Sequence, residues 1–400
     1  MSNKKDVTIQ TCRVIKVVDP KLAAKIQDFQ CRLGAIESGY PVITDWHPVI
    51  PEGWGQFPEI PFERSVIYRG SAESWAYSHH QTIMKFKDKY VASWSNGFLH
   101  EDYIGQEVHC AWSSDGMSWS EPQIVAHTPV ESKLVRNNAG LYSANGRLYC
   151  LVGVSTDPGR DVAEPGMSVL KEPPHLDVYE TTDLKTWKPH ENVCENIYLF
   201  EGPRKTKDGK FLCCGFDLSD HHARVLIWND PSKPTERPQV VDIPISPEGV
   251  LPEQGTWYQT DDGRIWMYQR DASANGYLAS TWSDNEGQTW SDLLRTDFPN
   301  TYCRVFAGQL NDGRFYIVGN NYNRFLDRNH LHLALSDDGY VFDRQYTLVE
   351  GQTTRRVNGR HKENGYHYPN CCVDGDKLLV IHSENKEDIV VGVVDMSKVD

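Results

Sequence analysis

The 400-residue sequence lacks any stretch of about 18 consecutive apolar residues, the length that a helix needs to cross a membrane. It also lacks an excess of basic residues, since 55 Asp and Glu outnumber 41 Lys and Arg and the formal net charge is -14. Phosphate backbones select clustered Lys and Arg, so this charge argues against a nucleic-acid partner. The sequence therefore predicts a protein that neither spans a membrane nor binds nucleic acid.

The first residues of the chain lack the apolar core of a secretory signal. This predicts a cytoplasmic protein, with a trimmed secreted or periplasmic form as the alternative. The ten cysteines show no Cys-x-x-Cys spacing, so a zinc knuckle is not indicated. Cys213-Cys214 and Cys371-Cys372 fall in strand-like runs, where neighbouring side chains face opposite sides. We expect reduced cysteines that pack as small buried hydrophobes.

The sequence does contain one turn motif that occurs five times. Each copy is an Asn-Gly or Asp-Gly pair between runs of alternating apolar residues, which is the strongest local signal for a β-hairpin. The copies recur every ~50–60 residues, a period typical of propeller blades. A sixth unit turns at Lys87-Asp88-Lys89. The five pairs are Asn145-Gly146, Asp208-Gly209, Asp262-Gly263, Asp312-Gly313 and Asp374-Gly375.

A second repeat follows several of these hairpins and reads Ser-x-Asp-Gly-x-x-Trp in its first copy. It resembles the Asp-box of sialidase-like β-propellers, in which a carboxylate or amide ties a turn and the aromatic residue packs between sheets. The resemblance implies an architecture and not a chemistry. The four copies are Ser113/Asp115/Gly116/Trp119, Thr181/Asp183/Trp187, Ser283/Asn285/Gly287/Thr289/Trp290 and Ser336/Asp338/Gly339/Phe342.

These repeats predict an all-β fold, a β-propeller of four-stranded antiparallel blades that forms one domain over residues 1–400. The leading segment, with Val7-Thr8-Ile9 and Ser65-Val66-Ile67-Tyr68, offers strands for a blade beyond the six repeated units. We therefore favour seven blades, with the termini sharing one blade to close the ring, and keep six blades as the alternative. The six units begin near His80, Asn138, Arg204, Glu253, Arg304 and Tyr368.

Polar residues collect at one predicted rim of the propeller, where the innermost strand of each blade starts and the second strand ends. Loops at one rim of a rigid scaffold are where sites are usually built. The planar fork of Arg suits a carboxylate, and aromatic faces suit sugar rings. We therefore predict an acidic oligosaccharide or polysaccharide as the substrate. The substrate-binding candidates are His79, Gln81, Asn96, Arg136, Asn138, Glu201, Glu253, Trp257, Arg270, Arg304, Asn320, Tyr368 and His382.

The predicted first blade resembles that of a family of seven-bladed propeller enzymes that act on the L-rhamnose-α-1,4-D-glucuronate linkage capping arabinogalactan side chains, as in gum arabic. Some members are lyases and related ones are rhamnosidases. Related propeller lyases resemble one another in using two His about twenty residues apart, with Tyr and Arg from following blades. The similar segments are Tyr77-Ser78-His79-His80-Gln81-Thr82, Trp94-Ser95-Asn96-Gly97, His100-Glu101-Asp102 and Gly105-Gln106.

The resemblance implies a β-elimination that releases rhamnose and leaves a 4,5-unsaturated glucuronide. His100 would transfer the proton, and His80 would act as a second acid or base or orient the substrate. Arg204 and Arg160 would neutralise the glucuronate carboxylate, and Tyr142 is the nearest candidate for the Tyr. No cofactor is expected for catalysis, although a structural calcium ion in the central channel is compatible with the fold.

Two alternatives remain open. The first is an exo-acting α-L-rhamnosidase or sialidase-like hydrolase, in which Arg204, Arg270 and Arg304 would mimic the sialidase Arg triad. Against it, Arg69-Gly70 stands where a sialidase Arg-Ile-Pro signature would be expected. The second alternative is a carbohydrate-binding propeller without catalysis, which would tolerate the loss of His80 and His100 with modest effects on affinity.

Overall fold

The computed structural model describes residues 13–14, 57–156, 174–217 and 222–400. Regular structure in these residues is almost entirely β-strand, with two short 3-10 helices at Val130–Ser132 and Met396–Lys398. Neither of these described helices has the length and apolar character needed to cross a membrane. The strands form small antiparallel sheets arranged as a β-propeller, so the all-β prediction is confirmed.

The described strands are numbered in chain order. In the first half they are β1 (Arg13–Val14), β2 (Glu63–Arg69), β3 (Tyr77–Phe86), β4 (Lys89–Gly97), β5 (Glu107–Ser113), β6 (Gln123–Ala126), β7 (Leu134–Ala144), β8 (Arg147–Thr156), β9 (His175–Thr181), β10 (Lys188–Glu195), β11 (Tyr198–Leu199), β12 (Arg204–Lys205), β13 (Phe211–Asp217), β14 (His222–Trp228) and β15 (Gln239–Asp242). In the second half they are β16 (Pro252–Gln259), β17 (Ile265–Asp271), β18 (Tyr277–Ser283), β19 (Leu294–Pro299), β20 (Phe306–Gln309), β21 (Phe315–Gly319), β22 (His330–Ser336), β23 (Val341–Phe342), β24 (Arg344–Glu350), β25 (Tyr366–Asp374), β26 (Lys377–Glu384) and β27 (Asp388–Asp395).

Within the described ranges these strands form six blades. From the innermost strand outward, blade 1 is β3-β4-β5-β6, blade 2 is β7-β8-β9-β10, and blade 3 starts with the interrupted pair β11 and β12 and continues β13-β14-β15. Blade 4 is β16-β17-β18-β19, blade 5 is β20-β21-β22-β24, and blade 6 is β25-β26-β27-β2. The first strands pack against those of neighbouring blades, β3 against both β7 and β25, so they line the axis.

The favoured count of seven blades is wrong for the described residues, and the six-bladed alternative is confirmed. The reason is the position of β2, which supplies the outermost strand of blade 6 instead of starting a sheet of its own. It pairs antiparallel with β27, with Ser65 opposite Val391. The earlier segment Val7-Thr8-Ile9 lies outside the described residues. A propeller closed in this way holds the strand that precedes its first blade within its last blade by a ladder of backbone hydrogen bonds.

The predicted turns lie between the strands that the sequence indicates. Each of the five Asn-Gly or Asp-Gly pairs joins the first and second strands of a blade, and its glycine has a positive φ between 59° and 96°. In the first Asp-box, the Asp115 carboxylate accepts from the backbone N–H groups of Met117 and Ser118, at 2.8 and 2.7 Å. The Trp119 indole donates to Gly116 O at 3.2 Å. These bonds tie the box turn to the end of the third strand.

Apolar side chains from facing sheets form the core between blades. The eight described cysteines are free and buried in these layers, which agrees with the expected hydrophobic role. Burial raises the pKa of the Cys110 thiol to about 12, so it is not a reactive thiolate. Blades 2 and 3 approach most closely at Gly140 and Gly202, where a Cβ added to either residue would overlap the backbone of the opposing segment.

Candidate functional site

Three innermost strands carry the same irregularity at the rim predicted to hold the site. In β3, β16 and β25 a β-bulge interrupts the ladder, and one residue at each bulge is left-handed: His80 with φ 53°, Gln254 with φ 52° and Tyr368 with φ 50°. A left-handed residue other than glycine costs about 1 kcal/mol or more, and bulges re-aim side chains next to functional sites. Left-handed residues at corresponding positions of three blades therefore concentrate backbone strain at one level of the channel.

The side chains turned by these bulges meet on the axis. The His80 ring lies 4.7 Å from the ring of Phe200, which joins blade 1 to blade 3. The Tyr368 hydroxyl accepts from Gln254 Nε2 at 2.8 Å and from Arg270 Nη1 at 2.9 Å, which joins blade 6 to blade 4. Neither pair of blades is adjacent in the ring, so these contacts cross its centre.

Arg270 links the tyrosine to a carboxylate. Its second terminal nitrogen donates to Glu253, the residue before Gln254 on β16. Its guanidinium stacks on the ring of Tyr302 at 4.2 Å. Burial alone would lower the pKa of Arg270, but Tyr368 and Glu253 raise it well above its usual value, so the side chain stays charged. The result is a Glu253–Arg270–Tyr368 relay in which the phenol oxygen faces two N–H donors.

Two neighbouring histidines differ in which ring nitrogens are engaged. His80 Nδ1 lies 3.3 Å from Ser95 Oγ, and its Nε2 lies 3.4 Å from Glu101. His79 Nδ1 lies 2.8 Å from Ser383 Oγ, whereas its Nε2 has no partner among the described residues. The His79 ring lies 4.2 Å from that of Tyr368. His79 is therefore the imidazole with a nitrogen available beside Tyr368.

The protonation state of His79 follows from its surroundings. Burial, together with the positive charge of Lys386, holds the pKa of His79 well below its usual value, so the ring is neutral. Lys386 Nζ donates to Glu101 at 2.7 Å, and Tyr77 donates to the same carboxylate at 3.0 Å. Burial would raise the pKa of Glu101, but Lys386 and His80 outweigh it and hold it well below its usual value. Glu101 is thus a carboxylate held by its neighbours.

Four cations surround the axis at or near this level. Arg304 is fully buried and lies 3.5 Å from Glu201, while its Nε and Nη1 have no partner in the described part of the chain. Arg328 donates to His367 Nδ1 and to Glu363, both at 2.8 Å. The other two are Arg270 and Lys386. Several fixed positive charges around one channel form a site suited to an anionic group.

Arg204, predicted as part of the catalytic clamp, has a structural environment. Its guanidinium lies between the rings of Trp257 and Phe306, 4.8 and 4.9 Å from their centroids. Its terminal nitrogens donate to Ala307 O at 2.8 Å, to Glu201 at 3.1 Å and to the Trp257 carbonyl. These partners occupy the donors that a substrate carboxylate would need. Trp257 is buried beneath Arg204 and does not face the axis as a free platform.

His100 lies on the same rim but in a different environment. Its Nδ1 accepts the backbone N–H of Arg360 at 2.9 Å. A backbone N–H can only donate, so the neutral His100 ring carries its proton on Nε2. Burial, followed by the charges of Arg360 and Lys362, lowers the pKa of His100. In this state His100 presents a hydrogen-bond donor and not a base.

The remaining predicted residues lie in several different environments. Tyr142 is buried between blades, where its hydroxyl donates to Pro234 O at 2.6 Å, so the structure does not bring it to the axis. Arg160 lies outside the described residues. Arg136 donates to His127 O on the surface of blade 1, and His382 is buried against Phe62.

Two of the predicted amide side chains, Asn138 and Gln81, hold the bulges in place. Asn138 Nδ2 donates to His80 O at 2.6 Å, and Gln81 Nε2 donates to the carbonyls of His367 and Tyr368. Asn320 Nδ2 donates to Tyr366 O at 3.0 Å. Asn96 accepts from the Trp94 indole inside blade 1. Asn138 and Gln81 thus satisfy backbone carbonyls at the bulges and position the site, whereas Asn96 binds within blade 1.

Arg328, Lys386 and Glu363 were missed from the sequence. Lys386 lies one residue beyond Asn385, just after the end of β26, and Arg328 lies in the loop that follows β21. The prediction considers only residues at the ends of strands. Including the whole loop that follows each second strand would add both cations. Glu363 comes from the connection between β24 and β25, which no repeat in the sequence marks.

A buried cluster invites comparison with a metal site. One ligand atom from each of His79, His80 and Glu101 lies within 4.8 Å of the others. The Lys386 ammonium, however, already lies on the Glu101 carboxylate, and both nitrogens of His80 have neighbours. These residues do not fit a divalent cation. Calcium takes about six to eight oxygen ligands, and this cluster offers one carboxylate, so the structural calcium ion stays a prediction.

The family described as BNR repeat-like domain matches residues 82–381, which is 300 of the 400 residues. The chain belongs to the BNR repeat-like family. Its match reaches the innermost strands of all six described blades and contains all four Asp-boxes. No curated protein sequence matches the chain.

Solved structures similar to this BNR repeat-like protein are propellers of low sequence identity. A sialidase is 18% identical with a TM-score of 0.59, over 84% of this chain and 33% of that one, so this chain spans about a third of its length. The intramolecular trans-sialidase from Ruminococcus gnavus in complex with oseltamivir carboxylate is 12% identical with a TM-score of 0.64, over 84% and 98%. A Dyadobacter fermentans protein of unknown function is 16% identical with a TM-score of 0.62, over 83% and 97%. These likenesses show a sialidase-like propeller fold.

Proposed function

We propose that this protein is a retaining glycosidase that removes a terminal sugar bearing a carboxylate, with Tyr368 as the nucleophile. The observation that carries the proposal is the Glu253–Arg270–Tyr368 relay on the propeller axis. Sialidases are the glycosidases that use a tyrosine in place of a carboxylate nucleophile. The similar trans-sialidase structure is a complex with oseltamivir carboxylate, which supports an acidic ligand for this fold.

In the proposed reaction the Tyr368 oxygen bonds to the anomeric carbon as the glycosidic C–O bond breaks. The phenol proton is passed on to the departing oxygen, which leaves as an alcohol. Water then attacks the same carbon, releases the sugar and restores the phenol. Arg270 and Gln254 are positioned to stabilise charge on the phenol oxygen as that bond forms and breaks, because preorganised donors need no reorganisation.

The acidic character of the substrate is inferred from Arg304 and Arg328. Arg304 is fully buried, and two of its three nitrogens are unpaired within the described residues. A buried donor without a partner costs about 1–3 kcal/mol, so an incoming carboxylate would gain what the free protein lacks. Guanidinium groups bind carboxylates in a planar, two-bonded geometry. A neutral sugar would bring no negative charge to the two unpaired Arg304 nitrogens.

A second candidate is the lyase implied by the first-blade resemblance, which would cleave a terminal L-rhamnose-α-1,4-D-glucuronate linkage by elimination. The observation that favours it is the free Nε2 of neutral His79, 4.2 Å between ring centroids from Tyr368. A neutral imidazole beside an Arg-bound uronate could remove the C5 proton, and Tyr368 could protonate the departing oxygen. In this version His79 replaces His100 as the base, because His100 presents a donor.

The experiment that tests both is product analysis with two acidic substrates, an aryl N-acetylneuraminide and a rhamnose-capped glucuronide. Retaining hydrolysis predicts a free acidic sugar with its original anomeric configuration by NMR and no new absorbance. Elimination predicts rhamnose together with absorbance near ~235 nm from a C4=C5 double bond and a glucuronide fragment lighter by one water. Turnover of neither substrate, with both still bound, would leave a carbohydrate-binding propeller and contradict both reactions.

A further inference from the structure

The connection between β24 and β25, residues 351–365, forms a strap that links blade 5 to blade 6 and reaches across the rim to blade 1. It is fixed by polar bonds, of which those of Lys362 are buried and those of Arg356 and Arg360 are part-buried. Lys362 Nζ donates to Glu387 at 2.9 Å and to Ala76 O at 2.8 Å. Arg360 Nη2 donates to Glu101 O at 2.9 Å, and Arg356 Nη1 donates to Asp388 at 2.9 Å. The strap therefore lies over the side of the site formed by His100 and Glu101.

Glu363 is the strap residue that enters the site. Its carboxylate lies 2.8 Å from Arg328 Nη1 and 3.8 Å from Lys386 Nζ. The side chains of Arg328 and Lys386 are 3% and 5% exposed, whereas that of Glu363 is 31% exposed. Glu363 is thus the partly solvated member of this otherwise buried charge cluster. Because Glu363 is already partly in solvent, it can leave the cluster more easily than either buried cation can move.

A surface cavity of about 390 Å³ adjoins Glu363 on its solvent side. Polar strap side chains, Arg355 and Asn364 among them, line one wall, and Asn329 lines another beside Arg328. The cavity gives the Glu363 side chain room to swing away from Arg328. Glu363 lines the cavity whereas Arg328 and Lys386 do not, so a ligand in the cavity meets Glu363 first.

We propose that Glu363 is an internal carboxylate that occupies Arg328 and Lys386 until an acidic sugar displaces it. The inference rests on the proposed function for the class of ligand, and it assigns Glu363 a role in specificity. A ligand carboxylate can exchange with Glu363 without leaving Arg328 or Lys386 unpaired. A neutral sugar cannot, because removal of the Glu363 carboxylate would leave the buried Arg328 without its carboxylate partner, although Lys386 would keep Glu101.

The test is calorimetric binding of D-glucuronate, N-acetylneuraminate and D-glucose to the full chain and to Glu363→Gln. Removal of the competing charge is expected to tighten binding of at least one acidic sugar by about tenfold, because more of the protein is binding-competent. D-Glucose binding is expected to remain unchanged. Glu350→Gln is the matched control, since Glu350 is a more exposed carboxylate at the end of β24, and it should bind like the unaltered protein.

Glu363→Asp separates charge from folding, because it keeps the competing carboxylate and should keep weak binding of the acidic sugar. Equal or weaker binding of both acidic sugars by Glu363→Gln would overturn the inference, as would the absence of their binding to every variant. Tightened binding without any glycoside turnover would support the internal carboxylate and contradict the proposed glycosidase. Glycoside turnover together with unchanged affinity in Glu363→Gln would support the proposed glycosidase and contradict the internal carboxylate.

Discussion

The hydroxyl oxygen of Tyr368 lies 2.9 Å from Nη1 of Arg270, across the axis of the propeller. This contact joins the innermost strand of blade 6 to the second strand of blade 4, and it places a potential nucleophile against a charged donor. Both residues are buried, so their relative position is fixed by the sheets that carry them. Substitutions at either residue should therefore change turnover more than they change binding.

Tyr368→Phe removes the phenol oxygen but keeps the ring that packs against His79. We expect kcat on the cleaved glycoside to fall by at least about 10³-fold, because the reacting atom is lost. Binding of the acidic sugar should persist, since Arg304 and Arg328 are unchanged. Tyr346→Phe, which removes an exposed hydroxyl bonded to Asp400 O, is the control and should retain full activity. Steady-state kinetics and calorimetry on the same preparations make the comparison.

Arg270→Lys keeps the charge but not the fork that reaches Glu253 and Tyr368 together. We expect kcat/KM to fall by about 10²- to 10³-fold, since an ammonium cannot reproduce both bonds. Arg264→Lys alters an arginine on the same sheet, stacked on Trp282 away from the axis, and should change kcat/KM little. Equal kinetics for the two variants would contradict a role for the relay.

Stability should depend on pH through buried histidines that are neutral in the folded protein. Burial lowers the pKa of His332 to about 3, and burial also holds those of His79 and His367 well below the usual value. The unfolded chain binds protons at these rings near pH ~6.5, whereas the folded chain does not. The free energy of unfolding should therefore fall as the pH drops below ~6.5, by about 1.4 kcal/mol per pH unit for each ring.

His332→Gln isolates one of these contributions because His332 lies outside the site. Urea unfolding at several pH values between ~5 and ~7 should show a smaller pH dependence than in the unaltered protein, and the difference in slope should approach about 1.4 kcal/mol per pH unit at the acidic end. Activity should be unaffected. Identical slopes for the two proteins would show that His332 takes up a proton equally in the folded and unfolded states.

Gly202→Ala tests the close approach of blades 2 and 3. Its new Cβ would overlap the backbone of Leu141, which only a shift between the blades can relieve. We expect the free energy of unfolding to fall by about 2–4 kcal/mol in denaturant titrations. Gly153→Ala is the matched control, because its Cβ would meet Asn137 at an ordinary 3.8 Å. That variant should stay within about 0.5 kcal/mol of the unaltered protein.

The features that could be predicted from the sequence are local ones. A turn such as Asp262-Gly263 is specified by the positive φ that its glycine adopts, and the Asp115 box is specified by bonds within four residues. The number of blades depends instead on the pairing of β2 with β27, and in the same sheet Arg64 bonds to Glu384 across 320 residues. No periodic pattern encodes that choice.

The candidate site was predictable to the extent that it lies at strand ends. Strand ends indicate His79, Glu253, Arg270 and Tyr368. They do not indicate Arg328, because it lies within a loop and no sequence repeat shows that this loop returns to the axis. The left-handed conformation of Tyr368 could not be predicted from the sequence either, because tyrosine does not favour that conformation and only the surrounding sheet imposes it.

The pairing of β2 with β27 has a consequence during synthesis. On the ribosome, β2 emerges early and stays without its neighbour until the last strand has been translated. A nascent or truncated polypeptide that stops before residue 388 is an open arc with two unsatisfied sheet edges, each able to recruit a strand from another copy. Until β27 has been translated, β2 is therefore an unpaired edge through which the chain can self-associate.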